Sequence, residues 1–125
     1  MRSHRTLLAW QEAREVSRAC IRLAQARPTP SAAPLLNQLE RAAISVQVNI
    51  AEGYGLATAP QFRRHLRIAY GSALEAGELF ELGLDTGVIA PEHAHVLGRC
   101  QKSQRLLLGL LKKKGMKPIQ ASIPA

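Results

Sequence analysis

The sequence predicts an all-α fold, an antiparallel up-down-up-down four-helix bundle. Three observations predict it. Apolar residues recur at three- and four-residue spacing along four long stretches, with no strand-like alternation. Proline- or glycine-bearing links separate the stretches and are short, which favours antiparallel neighbours. The composition is 46% hydrophobic with one Trp, two Tyr and two Phe, so the core must be built from Leu, Ala, Ile and Val, which suits helices. At 125 residues the chain makes one domain. Residues 1–115 are expected to form the bundle and residues 116–125, with two prolines, a flexible C-terminal tail.

The first helix is expected over about residues 6–26. Ala9, Trp10, Ala13, Val16, Ser17, Cys20, Leu23 and Ala24 share its inner face, with Trp10 as an anchor. Arg14, Arg18 and Arg22 form an i, i+4 ladder on another face. Pro28, Pro30 and Pro34 then break the chain. The second helix, over 35–52, is expected to stop at Gly53 or Gly55, where glycine takes up the left-handed closing conformation. The third, over 59–86, opens on Thr58-Ala-Pro-Gln61, a capping box with Pro in the first turn. Its inner face is Phe62, Leu66, Ala69, Tyr70, Ala73, Gly77, Phe80 and Leu84, and it ends near Gly87. The fourth, over 91–114, has Val96, Cys100, Ser103, Leu107, Leu110 and Leu111 inside, and lysines in its last turn before Gly115.

The second helix is unusual. At about 100° per residue, Gln38, Arg41, Ser45, Asn49 and Glu52 fall on one narrow stripe. Leu35, Leu39, Ala42, Val46 and Ile50 lie to one side; Ile44, Val48 and Ala51 lie to the other. An ordinary surface helix has one dry and one wet face. Here the polar groups are expected to be paired, because burying a carboxylate unpaired costs several kcal/mol. Arg41, Ser45, Asn49 and Glu52, joined by Ser72 and Glu75 of the third helix, are the expected polar network. It serves either to fix helix register or as a partner site at the mouth of the bundle. Apolar residues on two flanks, with the leucines of Leu106–Leu111, exceed what one neighbouring face can cover, and self-association is the simplest way to bury them.

The same residues carry a resemblance. Ser45, Asn49-Ile-Ala-Glu-Gly53, Tyr54-Gly55, Phe62, Ala69-Tyr-Gly-Ser72 and Glu75, with Leu8, Trp10 and Ala13, resemble the four-helix-bundle proteins first noticed in the intervening sequences of bacterial large-subunit rRNA genes. The resemblance spans roughly residues 6–112. It implies a ring-shaped pentamer and a role like that of relatives that act as accessory proteins beside reverse transcriptases in diversity-generating elements. One position departs: the family often has Arg after the Tyr-Gly pair, where this chain has Leu56.

Charge points to the partner. The chain has 17 Lys and Arg against 9 Asp and Glu, a net charge of +8, which favours RNA, DNA or another anionic partner. Arg63, Arg64 and Arg67 stand at the positive start of the third helix, and Glu75, Glu78, Glu81 and Asp85 in its C-terminal half; both placements oppose the helix dipole. A chain that tolerates this has a use for the charges. Arg63, Arg64, Arg67, Arg99, Lys102 and Arg105 are the expected phosphate contacts, positioning a backbone without reading bases. The competing assignment is ion pairing, with Glu52 or Glu40 for the first three and a solvated face for the rest.

Other chemistry is not expected. His93 and His95 are two apart and do not face one another, so no metal site or cofactor is expected. Helical ribonucleases of the HEPN type need an Arg four to six residues before a His; His4, His65, His93 and His95 lack one. With no nucleophile–base pair and no phosphate loop, the chain is not expected to be an enzyme. Cys20 and Cys100 match no redox or metal spacing and are expected to be buried free thiols, as in a reducing cytoplasm. No stretch is long enough to span a membrane, and the N-terminus is not a signal peptide.

Overall fold

A computed structural model of the chain describes residues 3–56 and 58–113. Four helices follow in order: α1 (Leu8–Gln25), α2 (Ala33–Gly55), α3 (Ala59–Thr86) and α4 (Ala94–Lys112). They form the antiparallel four-helix bundle, each helix packing on its sequence neighbours and α4 closing against α1. The expected tail, 116–125, and Gly115 lie outside the described residues. Among the described residues no helix is long and apolar enough to cross a membrane.

The helix ends follow local chemistry. Ser3 Oγ accepts from the Arg5 amide to start a 3₁₀ turn, His4–Thr6, ahead of α1. After α1, Arg27 turns the chain at φ 57°, a left-handed conformation without glycine, and Pro28 bars further helix. Thr29 organises the start of α2: its carbonyl accepts from Ala32 and Ala33, and its hydroxyl from Ala32. Pro34 therefore lies inside the first turn rather than ahead of it, where its missing N–H costs nothing. Thr58 caps α3 as expected, accepting from the Gln61 amide at 3.3 Å, while its hydroxyl donates to Gln61 Oε1 at 2.9 Å. Gly87 closes α3 at φ 79°. The turn Pro91–His93 is 3₁₀, so α4 starts three residues later than the periodicity suggests.

The ending of α2 is where the sequence puts it, at Gly55, but its geometry differs. Neither Gly53 nor Gly55 takes the left-handed conformation; both are helical, and Leu56 caps the helix in extended conformation. Packing explains the choice. A Cβ on Gly53 would lie 2.6 Å from His65 Cβ, so glycine is there to let α2 and α3 touch.

The core has two stacked halves. One holds Trp10, Ile50, Tyr54, Phe62, Leu66 and Leu107, near the start of α1. The other holds Cys20, Leu39, Phe80, Ile89, Val96 and Cys100. Small residues make the waist: Ala13, Ala43, Ala73 and Ala76 enclose a void of about 10 Å³ together with Ser103. Ser17 Oγ donates to the Ala43 carbonyl at 3.0 Å, and Cys100 Sγ to that of Ala73 at 3.4 Å. Both thiols are buried and free. Burial, and for Cys20 the neighbouring Cys100, push them up to about 12 and about 11 respectively, so both stay protonated.

Candidate nucleic-acid interface

The antiparallel packing brings the start of α1, the end of α2, the start of α3 and the end of α4 to one end of the bundle. Arg5, Arg14, Arg63, Arg64, Arg67, Arg105, Lys112 and Lys113 gather there, against Glu12, Glu15 and Glu52. The arginines of α3 thus stand beside the carbonyl-rich ends of α2 and α4. Their conflict with α3's own dipole is offset by its neighbours.

Arg63 shows this directly. It is partly buried; Nη2 donates to the Leu111 carbonyl at 2.7 Å and Nη1 to the Lys113 carbonyl at 3.3 Å. Arg63 caps α4, and two of its five N–H donors are spent there. Arg99 and Lys102 are also engaged: Arg99 Nε lies 3.8 Å and Lys102 Nζ 3.5 Å from the carboxylate of Glu12, tying α4 to α1. Glu12 Oε1 is buried and beyond hydrogen-bonding reach of Arg99, so that pair is Coulombic only. Arg64 and Arg67 are exposed and make no ion pair among the described residues, and the same holds for Arg105. Pairing of the α3 arginines with Glu52 or Glu40 does not occur among the described residues.

On α1, Arg18 pairs with Glu15 at 3.6 Å and Arg22 is exposed. Arg5 and Arg14 lie over the Trp10 ring at 5.1 and 5.7 Å. His4 meets Trp10 edge-on at 5.0 Å, and burial, then Arg5, lower its pKa, so it stays neutral near pH 7.

The polar network exists with different members. His65 Nδ1 lies 2.9 Å from Asn49 Oδ1, which can only accept, so His65 donates. Asn49 Nδ2 donates to the Ser45 carbonyl at 2.9 Å and to Ser45 Oγ at 3.1 Å. Ser45 Oγ in turn meets Ser72 Oγ at 2.9 Å. This half-buried chain of hydrogen bonds stitches α2 to α3. Arg41 and Glu52 are exposed and take no part in it, and Glu75 instead accepts from Gln38 at 3.1 Å. Helical angle alone placed those residues on the stripe. Gln38, Ser45 and Asn49 lie at the centre of the stripe and meet α3, while Arg41 and Glu52 lie at one edge of it and stay in solvent. His65 is the member that sequence reading missed. Its signal was present: it lies on the same face as Ser72, two turns earlier in the third helix.

Ile44 and Val48 of α2 and Ile68 of α3 stand exposed beside this network, on the flank expected to need a partner.

Comparison with known proteins supports the architecture. Residues 5–109 match the profile of the family described as 23S rRNA-intervening sequence protein. The fold is similar to the crystal structure of a protein of unknown function from the S23 ribosomal protein family of Bacteroides thetaiotaomicron. The TM-score is 0.73 at 20% identity, covering 85% of this chain and 100% of that one. Among curated proteins none matches.

Proposed function

The chain belongs to the 23S rRNA-intervening sequence protein family, and from that footing we propose that it is a non-catalytic, self-associating bundle that binds nucleic-acid backbone through its cationic end. The observation that carries this reading is the clustering of cations at one end with few acids to neutralise them. Arg64 and Arg67 are free there, and Arg5 and Lys112 lie at the same end. Arg63, Arg99 and Lys102 drop to a supporting role, since each is engaged within the fold. The sequence carries no known base-reading motif, so the contact expected in this reading follows the phosphates and not the sequence.

Self-association is supported by the exposed Leu8, Ile44, Val48, Ile68, Leu74 and Leu82, each more than a third exposed. Resemblance to the family suggests a pentameric ring, and a reverse transcriptase as one kind of partner. A ring would repeat the cationic end and multiply a weak attraction through multivalency. In this reading the protein acts in the cytoplasm, a location that its buried free thiols suit.

The test is fluorescence anisotropy with a labelled RNA and a labelled DNA over a salt series. Binding should weaken linearly in log–log form with salt, and Arg64→Gln with Arg67→Gln should lower both affinity and slope. Absence of binding to either polyanion at low salt would sink the reading. The exposed Ile44, Val48 and Ile68 would then favour a protein adaptor.

A further inference from the structure

The bundle carries a second cationic feature, apart from Arg64 and Arg67. A cleft of about 370 Å³ opens between the start of α1 and the end of α4. Leu7, Leu8, Leu106 and Leu110 give it apolar walls, and Arg105 and Lys113 add positive charge. Leu8, on the rim of the cleft, is 58% exposed. Neither Arg105 nor the side chain of Lys113 has an ion-pair partner among the described residues.

A surface of the opposite kind lies on the outer side of α3, in its C-terminal half. Leu74 and Leu82 are 43% and 49% exposed there, and Glu78 and Glu81 stand between them. At about 100° per residue the four side chains fall within roughly a 100° sector on the outward side of α3. Glu78 and Glu81 likewise have no ion-pair partner among the described residues. The two surfaces match in kind: exposed leucine with cations on one, exposed leucine with carboxylates on the other. They lie at opposite ends of one rigid bundle and cannot meet within a single copy.

We propose that the α1–α4 cleft of one copy receives the acidic α3 ridge of a second copy, with Arg105 and Lys113 facing Glu78 and Glu81. The assignment rests on the self-association reading and names the surfaces that achieve it. The contact is heterologous, because cleft and ridge are different patches. It therefore closes into a ring or continues as a filament, and does not stop at a two-fold dimer. Charge complementarity selects this occupant over the exposed strip at Ile44, Val48 and Ile68. There Arg41, Glu52 and Arg64 are mixed in sign and select nothing.

The test is sedimentation velocity on the full chain, with circular dichroism to confirm folding. Glu78→Lys with Glu81→Lys should weaken association at least tenfold. Arg105→Glu with Lys113→Glu should do the same. The chain carrying all four changes should recover it, whatever the ring size, since cleft and ridge again have opposite sign. Leu8→Ser tests the apolar part by itself and should shift the mass distribution towards monomer. Double variants that keep the wild-type mass, or a fourfold variant that fails to recover it, overturn the assignment but leave self-association standing. A wild-type chain that stays monomeric at all concentrations removes both.

Discussion

The two ends of the bundle are built from the same four helices yet differ in charge and in how they are closed. One end gathers Arg5, Arg14, Arg63, Arg64, Arg67, Arg105, Lys112 and Lys113 against Glu12, Glu15 and Glu52, a clear cationic excess. The other is balanced, with Glu40, Glu78, Glu81, Asp85 and Glu92 against Arg18, Arg22, Arg27, Arg41 and Arg99. Each end presents two helix N-termini and two C-termini, so the dipoles largely cancel and do not dictate the sign of charge. Charge at an end is therefore free to serve binding. Both ends are closed through a glycine. At the cationic end Gly53 admits His65; at the other Gly83 admits Ile89, whose Cδ1 would lie 2.5 Å from an added Cβ. The first contact is with a Cβ that moves only with its backbone, the second with the outer atoms of a fully buried Ile side chain that must repack.

That difference gives the largest expected effect. Gly53→Ala should cost about 1–3 kcal/mol in denaturant unfolding, because α2 and α3 must part. Gly83→Ala should cost somewhat less, since the buried Ile89 side chain can repack without two long helices parting. Gly55→Ala, with open space around it, should instead stabilise by about 0.5–1 kcal/mol as a helical Gly-to-Ala change. Equal losses at Gly53 and Gly55 would break the account of how the cationic end is closed.

Next comes the polar chain beside Gly53. Asn49→Ala strands His65 and Ser45 and should lower stability by about 1–2 kcal/mol. Glu52→Ala, three residues on but exposed, should stay within about 0.5 kcal/mol of wild type. Thermal melts of the two variants decide whether the network ends at Asn49.

Neighbouring arginines of the cationic end should then separate by role. Arg63→Gln loses the charged bonds to the α4 carbonyls and should cost about 1 kcal/mol. Arg64→Gln should leave the melt unchanged and weaken polyanion binding more than Arg63→Gln does. The reverse order would assign Arg63 to the interface after all.

The smallest effect concerns the half of the core away from the cationic end. Cys20 and Cys100 titrate at about 12 and about 11 in the fold, above the ordinary thiol value of 9.0, because burial disfavours the thiolate. Raised folded-state values mean that their contribution is complete below pH 9.0 and is lost as pH rises through 11 to 12. At pH 8 both thiols should resist a disulfide reagent until denaturant is added. Rapid labelling of the folded chain would show that this half opens readily.

The inner faces of the four helices were legible because burial leaves a period that one strand of text preserves: Ala9, Ala13, Val16 and Cys20, or Phe62, Leu66, Ala69 and Ala73, need no partner to be recognised. Thr58 and Gly87 were legible because caps depend on local geometry. The site was legible only as types and angles. The stripe on α2 correctly named Ser45 and Asn49, with Ser72 opposite, and wrongly added Arg41 and Glu52, since angle does not tell which part of a face a neighbour covers. Arg63 was indistinguishable from Arg64 in the sequence, and lies one helical step away. What the sequence by itself determined is the helical period, the caps and the net charge, all set by forces acting within a turn or summed over the chain. What only the tertiary structure decided is which charges are spent on neighbours and which remain free. Pairs such as Arg63 with Leu111, or Glu12 with Lys102, join residues far apart in the chain, and their distances exist only once the helices have packed.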